Sequence, residues 1–130
     1  MSEPRLEPFQ YAMLRVVPRV ERGEGVNVGL VLFARPLDFL GVRTHLDEEL
    51  LGRMAPTCDL EPIRRRLAGI ERIVAGDATA GPIARLSQSE RFHWLVAPAS
   101  TILQPSPQHT GMTNDAQASL DRLFDALVAR

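Results

Sequence analysis

Val26–Ala34 reads VNVGLVLFA, and every second residue in it is apolar: Val26, Val28, Leu30, Leu32 and Ala34 form one unbroken face. The opposite face holds Asn27, Gly29, Val31 and Phe33, so it is largely apolar as well. A period of two marks a strand, and a strand apolar on both faces is covered on both sides. Working back, Phe9–Val20 (FQYAMLRVVPRV) has the same character, with Tyr11, Met13 and Val17 on one face and Ala12, Leu14 and Val16 on the other. Pro18 lacks an amide donor and should end regular pairing there. Between the two runs lies Glu21–Gly25 (ERGEG), which is turn chemistry. Working forward, Arg35-Pro36-Leu37-Asp38 is a tight connection into a third strand over Phe39–Leu46 (FLGVRTHL). Three strands joined by short turns predict an antiparallel meander.

The period then changes. Asp47 is placed to cap a short helix through Met54, stopped by Pro56, and Asp59 to cap a second. Leu60, Ile63, Leu67, Ile70 and Val74 recur at steps of three and four, an amphipathic stripe that Gly76 ends. Ser87 with Glu90 has capping-box spacing and starts a third helix at about Gln88. Asn114 with Gln117 has the same spacing before a last helix whose apolar face is Leu120, Leu123, Phe124, Leu127 and Val128. Thr101–Gln104 suggests a fourth strand inside a proline-rich, otherwise irregular segment, Pro98–Thr113. Strands first and helices after predict an α+β fold: an antiparallel sheet of three to four strands packed with three to four helices. The second sheet face needs cover, which a second copy of the chain, as a homodimer, could supply.

The 130 residues suit one α+β domain over residues 9–130 behind a short flexible tail, residues 1–8. A net charge of −1 sets nucleic-acid binding by bulk electrostatics low, since that mode needs clustered positive charge. All fifteen basic residues are arginine. The lone Cys58 permits no intramolecular disulfide, no apolar run is long enough to span a membrane, and no apolar leader core precedes Pro8. A cytoplasmic protein is expected, with no membrane partner.

Phosphate-loop, dinucleotide and zinc-protease signatures are missing, and His45, His93 and His109 lack metal-ligand spacing, so no metal and no cofactor is expected. Two segments stand out. Arg15 and Asn27 interrupt apolar strands, and Glu24 lies in the turn between them. Burying such groups unpaired costs about 1–3 kcal/mol each. They therefore form either a structural Arg–Glu–Asn network or one wall of a small anion or peptide site. In the second segment Arg91, Phe92 and Trp94 precede Gln108-His109-Thr110-Gly111. Arg91, His109 and Thr110 are candidate anion donors, and Arg15, Glu24, Asn27, Arg91 and His109 could build one convergent pocket. Trp94 reads more readily as a core anchor than as a stacking platform, and Arg64–Arg66 as a solvated helix face.

These stretches also carry a resemblance. Tyr11-Ala-Met-Leu-Arg15-Val-Val-Pro18, Gly23-Glu24-Gly-Val-Asn27-Val-Gly29-Leu-Val-Leu-Phe33, Arg91-Phe92-His-Trp94-Leu95 and Ser106-Pro107-Gln-His109-Thr110-Gly111 resemble a bacterial family known as domain of unknown function 3037. The resemblance runs from about Phe9 to Val128, and its Gly-Glu-x-x-Asn-x-Gly element is the most specific part. It implies a compact bacterial domain and no particular reaction. It also implies a protein partner, a kinase-like or toxin-like protein encoded nearby. The expected function is a protein-binding or regulatory accessory module. The alternative is a small enzyme or nucleotide- or anion-binding domain using the Arg/Glu/Asn/His group.

Overall fold

The computed structural model describes residues 5–99 and 101–129. Its antiparallel sheet is built from β1 (Glu7–Val16), β2 (Val26–Ala34), β3 (Phe39–Thr44), β4 (Leu103–Pro105) and β5 (His109–Thr113). β1 is central, with β2 on one side and β4 and β5 end to end along the other; β3 lies beyond β2. Four helices complete the fold: α1 (Glu48–Met54), α2 (Glu61–Val74), α3 (Gln88–Leu95) and α4 (Ala116–Leu127). The α+β class and the N-terminal meander are those the sequence predicts. The strand count is higher by one, because β5 lies in the segment expected to be irregular. Glu7 and Pro8, expected in a flexible tail over residues 1–8, pair with Thr113 and Met112, and residues 1–4 lie outside the described residues.

β2 does not keep the two faces its alternation suggests. Leu14 sits opposite Gly29 and Arg15 opposite Asn27, so Val28 has no opposite residue. This β-bulge exchanges the faces. Val26 and Val28 join Val31, Phe33, Leu14 and Val16 in one core, beneath Leu51 of α1, Ile63 and Leu67 of α2 and Phe92 of α3. Leu30, Leu32 and Ala34 form the other core, with Phe9 and with Ala116 and Leu120 of α4. The second sheet face is thus covered by the chain's own last helix. Each such buried aliphatic or aromatic side chain contributes about 1.5–3 kcal/mol.

The helix ends follow the sequence in part. Asp47 accepts from the Leu50 amide at 3.0 Å, and Ser87 with Glu90 forms a full capping box. α2 closes into Gly76 at φ 73°. Asp59 accepts from Glu61 N at 3.0 Å, although the residue in the cap position is Leu60. At α4 the cap is Asp115, not Asn114: its carboxylate accepts from Ala118 N at 3.0 Å. Thr113 explains the shift, because its buried hydroxyl accepts from Asp115 N and from Ser119 Oγ and fixes the turn one residue later.

The β4–β5 edge explains the Ser-Pro-x-His-Thr-Gly stretch. Pro105 and Pro107 interrupt the ladder, and buried Ser106 restores it, donating its amide to Met13 O at 2.8 Å and accepting the Met13 amide on Oγ at 2.9 Å. Three residues on, the His109 ring lies against Tyr11, with centroids 5.3 Å apart. A Cβ on Gly111 would fall 2.4 Å from the Phe9 ring, so only glycine admits that ring across the strand pair. Read as sequence, proline and glycine argued for a loop; packed on β1, they make a strand that is clasped by side chains. No described helix is long and apolar enough to cross a membrane.

Candidate functional site

The bulge brings Arg15 and Asn27 opposite each other at the end of the sheet. An open cleft of about 490 Å³ begins beside them, walled by Gly25, His45, Asp47 and the last turn of α4. Asn27 Nδ2 donates to the Leu127 carbonyl at 3.0 Å and so ties β2 to the end of α4. The Asp47 carboxylate is engaged with the first turn of α1. Leu50, Met54 and Val128 supply the apolar part of the wall. His45 and Asp47 reach the cleft from the β3–α1 junction. The sequence shows them as a surface histidine and a helix cap, and only the three-dimensional return of β3 beside β2 brings them to Arg15.

The other expected site residues lie elsewhere. Glu24 is exposed, pairs with Arg22 at 2.8 Å and borders a separate hollow of about 100 Å³ with Pro18 and Arg19. The Arg–Glu–Asn network is therefore not formed, because Arg22 takes the carboxylate. Arg91 acts as a clamp: Nη1 donates to the Ile73 and Val74 carbonyls at 2.9 and 2.8 Å, and Nε to Leu86 O at 3.0 Å. It satisfies the carbonyl end of α2 from α3, under the sheet face opposite α4. His109 is opposite Tyr11 on β5, four residues along β1 from Arg15, about 13 Å at strand rise. Thr110 lines a third hollow of about 290 Å³ with Gln10, Phe33, Arg35, Ser89 and His93. None of these hollows is lined by Arg15, Asn27, Arg91 and His109 together.

A fourth hollow, which sequence reasoning missed, is an apolar groove of about 330 Å³ between α2 and the end of α3, bordered by the chain leading into β4. Ile70 and Ile73 form its floor, with Leu95, Pro98 and Pro105 along its sides. Trp94, expected as a core anchor, is 46% exposed at its rim. Phe92, two residues earlier, fills the core instead, its ring 5.4 Å from that of Phe33. The helical period decides between them: α3 has room for one aromatic on its buried side, and residues two apart face different directions. Arg66 is the one charged residue lining the groove. Its neighbours are engaged: Arg64 with Glu48 and Glu61, Arg65 with Glu61, Arg72 with Asp77. Hydrogen bonding to Arg64 holds the Glu48 carboxyl below its usual range. Beyond α2 the Thr79 hydroxyl, then Arg72, lowers Asp77 from 3.8 to about 2. Arg66 has no carboxylate partner among the described residues.

A family model described as "Protein of unknown function (DUF3037)" matches residues 11–128. The chain belongs to that family. Neither a curated protein nor a solved structure matches it. The DUF3037 match runs from Tyr11 in β1 to Val128 just past α4, so it spans both cores apart from Phe9, and the cleft and the groove. The stretches that carried the DUF3037 resemblance map onto the hairpin with its bulge, the α3 clamp and the β4–β5 clasp.

Proposed function

We propose that this chain is a protein-binding module, and that it takes a short segment of a partner protein in the groove beneath Trp94. The observation that carries the reading is the exposure of Trp94 over an apolar groove while the core uses Phe92. An exposed tryptophan above an apolar hollow is the anchor chemistry of binding hot spots. Arg66 gives the segment its charge: beside the apolar floor it favours a partner side chain flanked by a carboxylate, held in bidentate fashion. The preferred segment is thus an apolar residue next to an acidic one. Neither Arg91 nor His109 lines the groove or the cleft, so the Arg/Glu/Asn/His group on which the enzyme reading rests is not gathered at either.

Panning a random peptide display library tests this. The chain has one tryptophan, so intrinsic fluorescence reports on the groove directly. Enriched peptides should pair an apolar with an acidic residue, shift the Trp94 emission, and lose about tenfold or more in affinity to Arg66→Ala. Enrichment that is the same for wild type and Trp94→Ala, with no emission change, would remove the groove from the function.

A further inference from the structure

The cleft at the end of the sheet lies apart from the groove and carries its own inference. Three arginines are half-buried among the described residues: Arg15, Arg43 and Arg91. Arg91 is held by three carbonyls through Nε and Nη1. Arg43 pairs with Asp121 at 3.1 Å and lies over the Phe124 ring at 4.2 Å. Arg15 alone of the three has neither a carboxylate nor a hydrogen-bond partner among the described residues. Its nitrogens reach solvent through the cleft, and a half-buried guanidinium that faces a concave site without a protein partner marks a place for a ligand anion.

We infer that the cleft binds a small carboxylate that also carries hydroxyl or amine donors, with Arg15 holding the carboxylate. Arg15 lies between Leu14 and Val16 on β1 and so takes the face away from their core, and the bulge at Val28 of β2 sets Asn27 opposite it at the sheet end. Gly25 keeps the approach open: a Cβ there would lie 2.9 Å from Arg15 Nη2 and 3.2 Å from Val16 O. The remaining polar walls select the rest of the ligand. Asn27 uses its amide nitrogen on Leu127 and has its oxygen left as an acceptor, and Asp47 has one carboxylate oxygen engaged with Leu50. The Asn27 and Asp47 acceptors beside the Arg15 cation, with the His45 ring on the same wall, call for an anion that brings its own donors. With Asp47 opposing Arg15 in charge, the cleft is close to neutral overall and suits a monoanion better than a phosphate dianion. About 490 Å³ is the size of a small-molecule site, and Leu50, Met54 and Val128 give the ligand body an apolar wall.

The test is an NMR titration of the full chain with lactate, acetate and inorganic phosphate, each to about 50 mM. Lactate should move the Arg15 and Asn27 side-chain signals and the Gly25 amide in a saturable way. It should bind more tightly than acetate, which lacks the hydroxyl, and than phosphate. Arg15→Gln should weaken lactate about tenfold, Arg15→Lys less, and Gly25→Val should block it by crowding the Arg15 guanidinium. Shifts that are absent from the cleft, or that persist unchanged in Arg15→Gln or Gly25→Val, would overturn the site. Phosphate binding more tightly than lactate would overturn the carboxylate assignment. The wild-type titration and the glycine variant decide the matter even if Arg15→Gln does not fold.

Discussion

The groove beneath Trp94 and the cleft at Arg15 are hollows of similar size, about 330 and 490 Å³, built in opposite ways. The groove is made by side chains of two helices and a proline-bearing connection, so its shape depends on how α2 and α3 sit together. The cleft owes more to backbone: a bulge in β2 sets Asn27 opposite Arg15, a glycine opens the rim, and Asn27 pins the end of α4. One surface offers apolar area with a single charge at its edge, and the other offers a cation with polar acceptors and the Asp47 carboxylate around it. The comparison teaches that affinity in the groove should follow helix packing, whereas affinity in the cleft should follow individual residues.

The largest effect expected from separating the two comes from Arg91→Ala. It removes three hydrogen bonds from a charged donor and leaves the Ile73 and Val74 carbonyls at the end of α2 without them. A loss of about 2–3 kcal/mol in urea unfolding is expected, since charged hydrogen bonds contribute about 1.5–3 kcal/mol and part of the loss is recovered by water. In the folded fraction, peptide binding at the groove should fall while lactate shifts at Arg15 stay unchanged. Equal losses at both surfaces would show that the two hollows are mechanically one.

Asn27→Ala is the matching cut at the cleft. It deletes one hydrogen bond to Leu127 O and should cost about 1 kcal/mol. Amide hydrogen exchange should speed up in the last turn of α4 and nowhere on α2 or α3. Protection unchanged in α4 would show that Asn27 does not anchor the helix, and its place in the sequence motif would then belong to the ligand.

The legible part of this fold was whatever local chemistry dictates. The meander, the caps at Asp47 and Ser87, the α2 stop at Gly76 and the apolar face of α4 all follow from residues read over a single turn or strand. What the sequence hid required contacts far apart in the chain. Val28 and Leu30 look like one face, and only the register against Leu14 and Arg15 separates them. β5 looks like a loop until Phe9 covers Gly111 and Ser106 replaces a ladder partner. The candidate site divided along the same line. Arg15 and Asn27 were placed together because they face each other across a hairpin that the turn already specifies. Arg91 and His109 were grouped with them on chemistry alone, and nothing local says that one caps α2 and the other stacks on Tyr11.

The smallest effect sharpens the comparison at the far end of α2. Asp77 sits in the turn beyond that helix, its carboxylate bonded to the Thr79 hydroxyl and amide and to Arg72 Nε. These bonds favour the charged form and lower its titration from 3.8 to about 2, the Thr79 hydroxyl being the main cause. Because the folded value lies below the ordinary one, the stabilisation is complete above about pH 4 and is lost as pH falls toward 2. An NMR titration should place the wild-type Asp77 carboxyl near about 2, and Thr79→Val should move it up toward 3.8. Wild type should melt slightly higher than this variant at pH 5, and the gap should close on acidification. The exposed position of the pair keeps the effect small. Peptide affinity at the groove should respond to this acid step only weakly, since Arg91 holds the end of α2 independently of Asp77. A Thr79→Val variant that titrates like wild type would instead make Arg72 the residue that sets the charge of the loop.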